Sequence, residues 1–327
     1  MRVSVIIPAY NAQSTIVRCV EGVLGQVFDR GDYEVIVVDD GSGDATVELL
    51  AGLPIRLYRQ PNRGPASARN HGAREASGDI LLFTDSDCVC DQAWIQEMIR
   101  PFDNPDIAAV KGVYGSGSLL TVAGNTQESL TSRFAQVEFE ERYEILKKAA
   151  SIDMIDTYCA AIKREVFEAI GGFDEGFSSA NNEDTDLSYR LSIAGHRMVF
   201  NPNAIVHHLN HPASILKYAR QKFWRGYWRM VVYKRYPQKM LKDSYTPQSL
   251  KLQILTVFGL LFFLALTPAY KPFCYVSLFL AAAYVLLTLG FVRFAFSRDR
   301  LIGLLSPLYL VLRAISIGCG VLYFFSR

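Results

Sequence analysis

The stretch Phe83-Thr84-Asp85-Ser86-Asp87-Cys88 sets two carboxylates one residue apart, directly behind the apolar run Ile80-Leu81-Leu82. In extended backbone, residues i and i+2 share a face. The spacing therefore predicts that Asp85 and Asp87 converge at a strand's carboxyl end. Two anions so placed repel unless a cation separates them, and oxygen ligands of this kind suit Mg²⁺ or Mn²⁺. A solvated Asx-turn accounts for the same six residues without any chemistry, so the rest of the chain decides.

A second acid cluster opens "NNEDTDLSYRLSIAG" (181–195), where Asn181 or Asn182 caps a helix and Glu183, Asp184 and Asp186 fill its first turn. Asp186 is spaced to pair with Arg190 one turn on, which leaves Glu183 and Asp184 for other work. Downstream, "MVFNPNAIVHHLNHP" ends a strand in His207, His208 and His211. Alternation puts Ala204, Val206 and His208 on one face, favouring His208 over His207 as the inward metal or phosphate contact.

The elements that must position these residues alternate along the first hundred. "VSVIIPAY" (3–10), "YEVIVVDD" (33–40), "IRLYRQ" (55–60) and "DILLFTDSD" (79–87) read as strands. Helical segments at 15–26, 44–52 and 65–76 separate them. Apolar strands divided by helices predict a mainly parallel sheet covered on both faces, with ligands beyond the strands' carboxyl ends. Three of those ends carry polar groups: Tyr10-Asn11, Asp39-Asp40-Gly41-Ser42 and Asp85-Ser86-Asp87. One could be a helix cap; three on a common rim predict a site. No G-x-G-x-x-G or G-x-x-x-x-G-K-[ST] loop is present, so dinucleotide and P-loop readings lose their support. Farther on, a Gly/Ser-rich segment (114–125) precedes a charged helix (136–150), a strand (155–163) and a helix (164–173).

The formal charge of +2 on 327 residues argues for no general polyanion partner, but the composition is uneven. "LKYARQKFWRGYWRMVVYKRYPQKMLK" (216–242) holds nine Lys or Arg, no acids, and interleaved aromatic rings. That mixture fits a membrane interface with anionic headgroups or a lipid diphosphate better than nucleic acid. Behind it, 252–270 and 272–292 are uncharged. Each is long enough, at about 1.5 Å per residue, to cross a hydrocarbon core of roughly 30 Å. A third stretch, 301–325, is interrupted by Pro307 and Arg313. Arg293, Arg298 and Arg300 between the second and third stretches, against Lys271 alone between the first two, place the Arg-rich turn and the N-terminal part in the cytosol. Residues 1–8 are too short for a secretory leader. The scattered cysteines (19, 88, 90, 159, 274 and 319) form neither a disulfide framework nor a zinc spacing. The expected division is 1–212 catalytic, 213–250 basic and interfacial, and 251–327 a membrane domain of two or three spans.

In order, "VSVIIPAYN", "VIVVDDGSGDAT", "NRGPASARNHG", "DILLFTDSDC", "IKREVFEAIGGFDE" and "NEDTDLSYRLSIAGH" resemble the family 2 glycosyltransferases over about residues 3–230. With the membrane segments, the chain resembles the subgroup that extends lipid-linked sugars for bacterial polysaccharides, the succinoglycan-type glucosyltransferases. The resemblance implies an α/β fold of the GT-A type followed by transmembrane helices at the inner (cytoplasmic) membrane. It also implies a nucleotide-sugar donor and a polyprenyl-linked acceptor.

By the same resemblance Pro8, Ala9, Tyr10 and Asn11 line the nucleotide pocket. Asp39 holds the base or ribose, with Asp40 in the turn behind it, and Arg69 and Asn70 enclose the nucleotide. Asp85 and Asp87, around Ser86, are the D-x-D motif. Asp87 is the direct Mn²⁺ or Mg²⁺ ligand, Asp85 meets the ribose or the metal, and His208 is an added ligand. Asp184, next to Glu183, is the base. Processive members carry Q-x-x-R-W; here Gln221 opens "QKFWRG" with Trp224 and Arg225 reversed. That argues against processive synthesis while leaving Arg225 for the donor diphosphate. Direct transfer to a polyprenyl phosphate is an alternative. A nucleotidyltransferase would need a G-x-G-T-R-type loop that "PAYNAQST" does not supply. A membrane scaffold with a degenerate sugar fold would be expected to lose the acids that are present.

Overall fold

Fully apolar strands find partners on both edges, and β1 (Val3–Ala9) does so at the centre of a parallel group with every residue buried. The computed structural model describes residues 1–115, 129–177, 182–209, 212–241 and 247–327. Most of the Gly/Ser-rich segment, Asn181 and His211 lie outside the described residues. The chain divides into two units, Met1–Thr126 with Tyr143–Asn210 and Gln127–Arg142 with His211–Arg327.

In the first unit α1 (Ile16–Leu24) leads to β2 (Tyr33–Asp39), α2 (Thr46–Leu50), β3 (Arg56–Arg59), α3 (Pro65–Glu75) and β4 (Ile80–Phe83). Next come β5 (Cys88–Cys90), α4 (Trp94–Ile99) and β6 (Ile107–Tyr114). After α5 (Leu130–Leu146), which runs through both units, come β7 (Ala160–Lys163), α6 (Arg164–Ala169), α7 (Glu183–Ile193) and β8 (Arg197–His208). The eight strands form one sheet in the order β3-β2-β1-β4-β7-β6-β8-β5. The first four are parallel, as their apolar sequences predict. β7 enters antiparallel to both β4 and β6, β8 is parallel to β6, and β5 is antiparallel to β8, so the sheet is mixed.

Two expected strands are much shorter than their sequences suggested: of 155–163 only Ala160–Lys163 is strand, behind a 3-10 turn at Thr157–Cys159, and 79–87 ends early. β4 stops at Phe83, and residues 85–88 form a turn in which the Cys88 N–H donates to the Asp85 carbonyl at 3.0 Å. The turn carries the chain out of the parallel group to pair with β8 as β5. Asp85 and Asp87 therefore meet at a turn and not by strand alternation.

In the second unit α8 (Ile215–Arg235), α9 (Pro237–Leu241), α10 (Gln248–Leu266), α11 (Phe273–Arg298) and α12 (Arg300–Phe325) follow in turn. The last three contain stretches long and apolar enough to cross a membrane, and α12 includes Pro307 and Arg313. Asp299 caps α12, its carboxylate accepting from the Leu301 and Ile302 N–H groups. α8 packs along α12 through glycines: a Cβ at Gly320 would stand 2.0 Å from the Phe223 carbonyl oxygen, and one at Gly226 2.4 Å from that of Ile317. An arginine amid so apolar a helix needs a partner. Arg313 donates to Glu138 of α5 at 2.9 Å and to Gln253 of α10 at 2.8 Å. Lys222 and Tyr218 of α8 complete the shell of Glu138 at 2.8 and 3.0 Å.

Candidate active site

Strand order brings the motifs together. β5 pairs with β8 so that Cys88 faces His208, and the Leu209 N–H donates to the Asp87 carbonyl at 2.8 Å. That register sets His208 Nε2 3.4 Å from Asp87 Oδ2. The alternation expected on β8 holds: Ala204 and Val206 are buried and His208 turns to Asp87, with Tyr114 edge-on to its ring at 5.1 Å. His207 points elsewhere, toward Gly115. Burial and the neighbouring Asp85 push the Asp87 carboxyl above its usual range, while His208 pulls it down. Such a group favours an added positive charge.

Opposite lies the amino end of α7. Asn182, at φ +65°, begins the helix without a side-chain cap bond to its N–H groups. The expected Asp186–Arg190 pair forms at 2.9 Å. Glu183 is buried and Asp184 is partly open. Burial and the charge of Asp184 push the Glu183 carboxyl up to about 7 against the pull of Arg69.

Arg69 joins the two clusters. From α3 its Nη2 donates to Asp85 Oδ1 at 2.7 Å and its Nη1 to Glu183 Oε1 at 2.9 Å. The guanidinium is 3 % exposed and lies over the Phe173 ring. Asn70 beside it clamps the loop before α7, accepting from the Phe173 N–H and donating to the Phe173 carbonyl and Glu175. The clamp requires Gly172, at φ +65°, where a Cβ would meet Asn70 Oδ1 at 2.7 Å. The sequence offered no signal for this Arg69 bridge beyond the residue's place near a rim.

The expected nucleotide contacts within the first unit lie at the ends of β1, β2 and β4 with different degrees of freedom. Pro8 and Ala9 are buried in β1, and Tyr10 is 53 % exposed. Asn11 accepts from the Gly43 N–H, and its own N–H donates to Ser42. Asp39 is buried, accepting from the Ser42 N–H and paired with Arg59 at 3.2 Å. Asp40 accepts from Gln60 and from the Arg63 and Gly64 N–H groups, which anchors the start of α3. Ser86 is partly exposed in the turn. Arg225, on α8, belongs to the second unit.

Among the described residues no three His, Cys, Asp or Glu side chains gather closely enough to hold a metal ion unaided. Mn²⁺ and Mg²⁺ at phosphate-handling sites commonly take one or two protein ligands and complete their shell with substrate phosphate and water. Asp87 with His208 fits that pattern, and Asp85 is engaged by Arg69. A cavity of about 430 Å³ lined by Arg30, Glu34, Ile55 and Arg56 lies at the opposite, amino ends of β2 and β3, away from these acids.

Residues 4–171 match the family model for glycosyl transferase family 2. The chain belongs to this family. Glycosyltransferase AglE of Haloferax volcanii is 27% identical over 216 residues, covering 64% of this chain and 67% of that protein. The poly-β-1,6-N-acetyl-D-glucosamine synthase of Staphylococcus aureus is 25% identical over 213 residues, covering 62% of this chain and 48% of the relative, so the match spans about half its length. Among solved structures, a mannosyltransferase from Pyrobaculum calidifontis in complex with GDP-Man and Mn²⁺ aligns over 98% of this chain and 87% of its own, with a TM-score of 0.57 and 19% identity. GalNAc-T7 with UDP, GalNAc and Mn²⁺ covers 77% of this chain and 53% of its own, with a TM-score of 0.51 and 19% identity. These likenesses show the family 2 fold, of the GT-A type.

Proposed function

We propose that the chain transfers a sugar, with inversion, from a nucleotide-sugar donor to a lipid-linked acceptor, with Mn²⁺ or Mg²⁺ held by Asp87 and His208. The observation that carries this reading is the meeting of the D-x-D turn and the acidic end of α7 on one arginine. The nucleotide and Mn²⁺ complexes of the fold neighbours support it.

The chemistry asks for three things on this rim. Asp87 and His208 would hold a cation, which would supply positive charge against that growing on the departing diphosphate. Asp184, the partly open acid of α7, is placed to take the proton of the acceptor hydroxyl as it attacks. One base and direct displacement give inversion at the anomeric carbon. Tyr10 and the turns at Asn11 and Ser42 offer a face for the base and ribose.

The helices support membrane attachment. α10 and α11 form the crossing hairpin, with Lys271 in its outer turn and Arg293, Arg298 and Arg300 on the cytosolic side. α12 lies along α8, a helix too rich in Lys and Arg to bathe in hydrocarbon, so it stays on that same side. Transfer to a polyprenyl phosphate is a second reading that the basic α8 equally supports.

The test incubates membranes containing the full chain and Mn²⁺ with a panel of radiolabelled UDP- and GDP-sugars, then extracts the lipid. One labelled lipid product that disappears with EDTA is expected. No product from any donor, together with no stabilisation of the purified chain by UDP or GDP, would leave the scaffold reading standing.

A further inference from the structure

Arg69 carries more than its place at the rim explains. Its two terminal nitrogens are spent on carboxylates from two different motifs, 16 and 114 residues away in sequence. Its Nε has no hydrogen-bond partner, so the side chain's polar contacts run to those two acids. The helix that bears it is fixed at its start by Asp40, which takes the Arg63 and Gly64 N–H groups, and Asn70 on the next position clamps the loop leading into α7. A guanidinium cannot give up its proton and offers a rigid fork. Taking a donor phosphate instead would cost the buried Glu183 carboxyl its hydrogen bond from Arg69, a costly exchange.

We propose that Arg69 is a positioning residue that ties the D-x-D turn to the first turn of α7, holding Asp85 away from the cation and aiming Asp184 at the acceptor, and that it does not contact the nucleotide. The proposal deepens the transferase reading and rests on it for the role of Asp184. Cation binding then belongs to Asp87 and His208, with Asp85 acting as an anchor point. Removing the positive charge of Arg69 should make the acid turn more attractive to a divalent ion while loosening the base. A merely structural defect would weaken both properties together.

The experiment uses the purified full chain in detergent for binding of Mn²⁺ alone and of UDP or GDP with Mn²⁺, and membranes for labelled lipid product. Arg69→Met is expected to bind Mn²⁺ at least about threefold more tightly, because a nearby cation is gone. Its transfer at saturating donor should fall by about 10²-fold, the scale of a small misplacement of a reacting group. Arg69→Lys should leave Mn²⁺ affinity within about twofold while losing part of the transfer. Adding Glu183→Gln to Arg69→Met should cost little more than Arg69→Met alone. Arg69→Met that loses UDP, GDP and Mn²⁺ affinity yet keeps saturated turnover would make Arg69 a donor ligand and overturn the proposal. So would loss of Mn²⁺ binding in Asp85→Asn. Should Arg69→Met not fold, Arg69→Lys and Asp85→Asn decide by the same criteria. If the wild type makes no lipid product, the failure belongs to the transfer reading, and the Mn²⁺ measurements alone judge Arg69.

Discussion

At the scale of single residues, Asp184 and Glu183 show how neighbours in sequence come to different surroundings. Helical geometry turns Glu183 into the protein, where Arg69 holds it, and leaves Asp184 partly open. Asp184→Asn is isosteric and keeps the helix start, so UDP or GDP affinity should be unchanged. Transfer measured as labelled lipid should fall by about 10²–10⁴-fold, the usual worth of a general base. Glu34 answers to acid. Burial would raise its carboxyl, but hydrogen bonds from Ser77 and Ser4, with Arg56 at 2.6 Å, hold it down at about 2 against an ordinary 4.5. A depressed folded value means that its contribution to stability is full above about 4.5 and is lost as pH falls through about 2. Acid unfolding followed by circular dichroism should therefore be shallower between those pH values in Glu34→Gln than in the wild type.

At the scale of elements, the site is made where secondary structure stops. The parallel group was legible because apolar runs such as Val3–Ala9 carry no solvent-facing alternation, and the rim followed from it. The Asp186–Arg190 pair and the facing of His208 also followed from simple periodicity. What escaped was tertiary. Nothing local says that β4 ends at Phe83 and turns toward β8, because "FTDSD" is compatible with both strand and turn. The partners of Arg69 are equally hidden, since an arginine in "SARNHG" looks like any exposed helix residue. Lys111 in the apolar strand "IAAVKGVY" gave a fairer hint: a buried cation demands an anion, and Asp156 supplies it. The loop clamp makes its own prediction. Gly172→Ala forces a left-handed backbone on a residue with a Cβ, costing roughly 1–2 kcal/mol, and it presses on Asn70. The melting temperature should fall, and transfer should fall further than stability explains.

For the molecule as a whole, the second unit is organised around an ionised group. Glu138→Gln would leave Lys222 and Arg313 buried without their anion, a loss of about 3–5 kcal/mol, read as a lower midpoint of thermal unfolding in detergent. Its connections also bear on topology. Arg313 binds Glu138 of α5 and α12 runs beside α8, and both partners precede α10 in the chain. A reporter fused after Arg327 should accordingly score as cytosolic, on the side of Arg293 and Arg298. A periplasmic signal would instead make α12 a third crossing.

The same ion pair dictates an order of biosynthesis. Glu138 leaves the ribosome 175 residues before the arginine that satisfies it. Until then Tyr218 and Lys222 of α8 are its partners, and the seam that Arg313 closes with Gln253 of α10 stays unlatched. The segment that carries Arg313 is the latch, and a nascent chain stalled before it would present quality-control proteases with an open, charged seam.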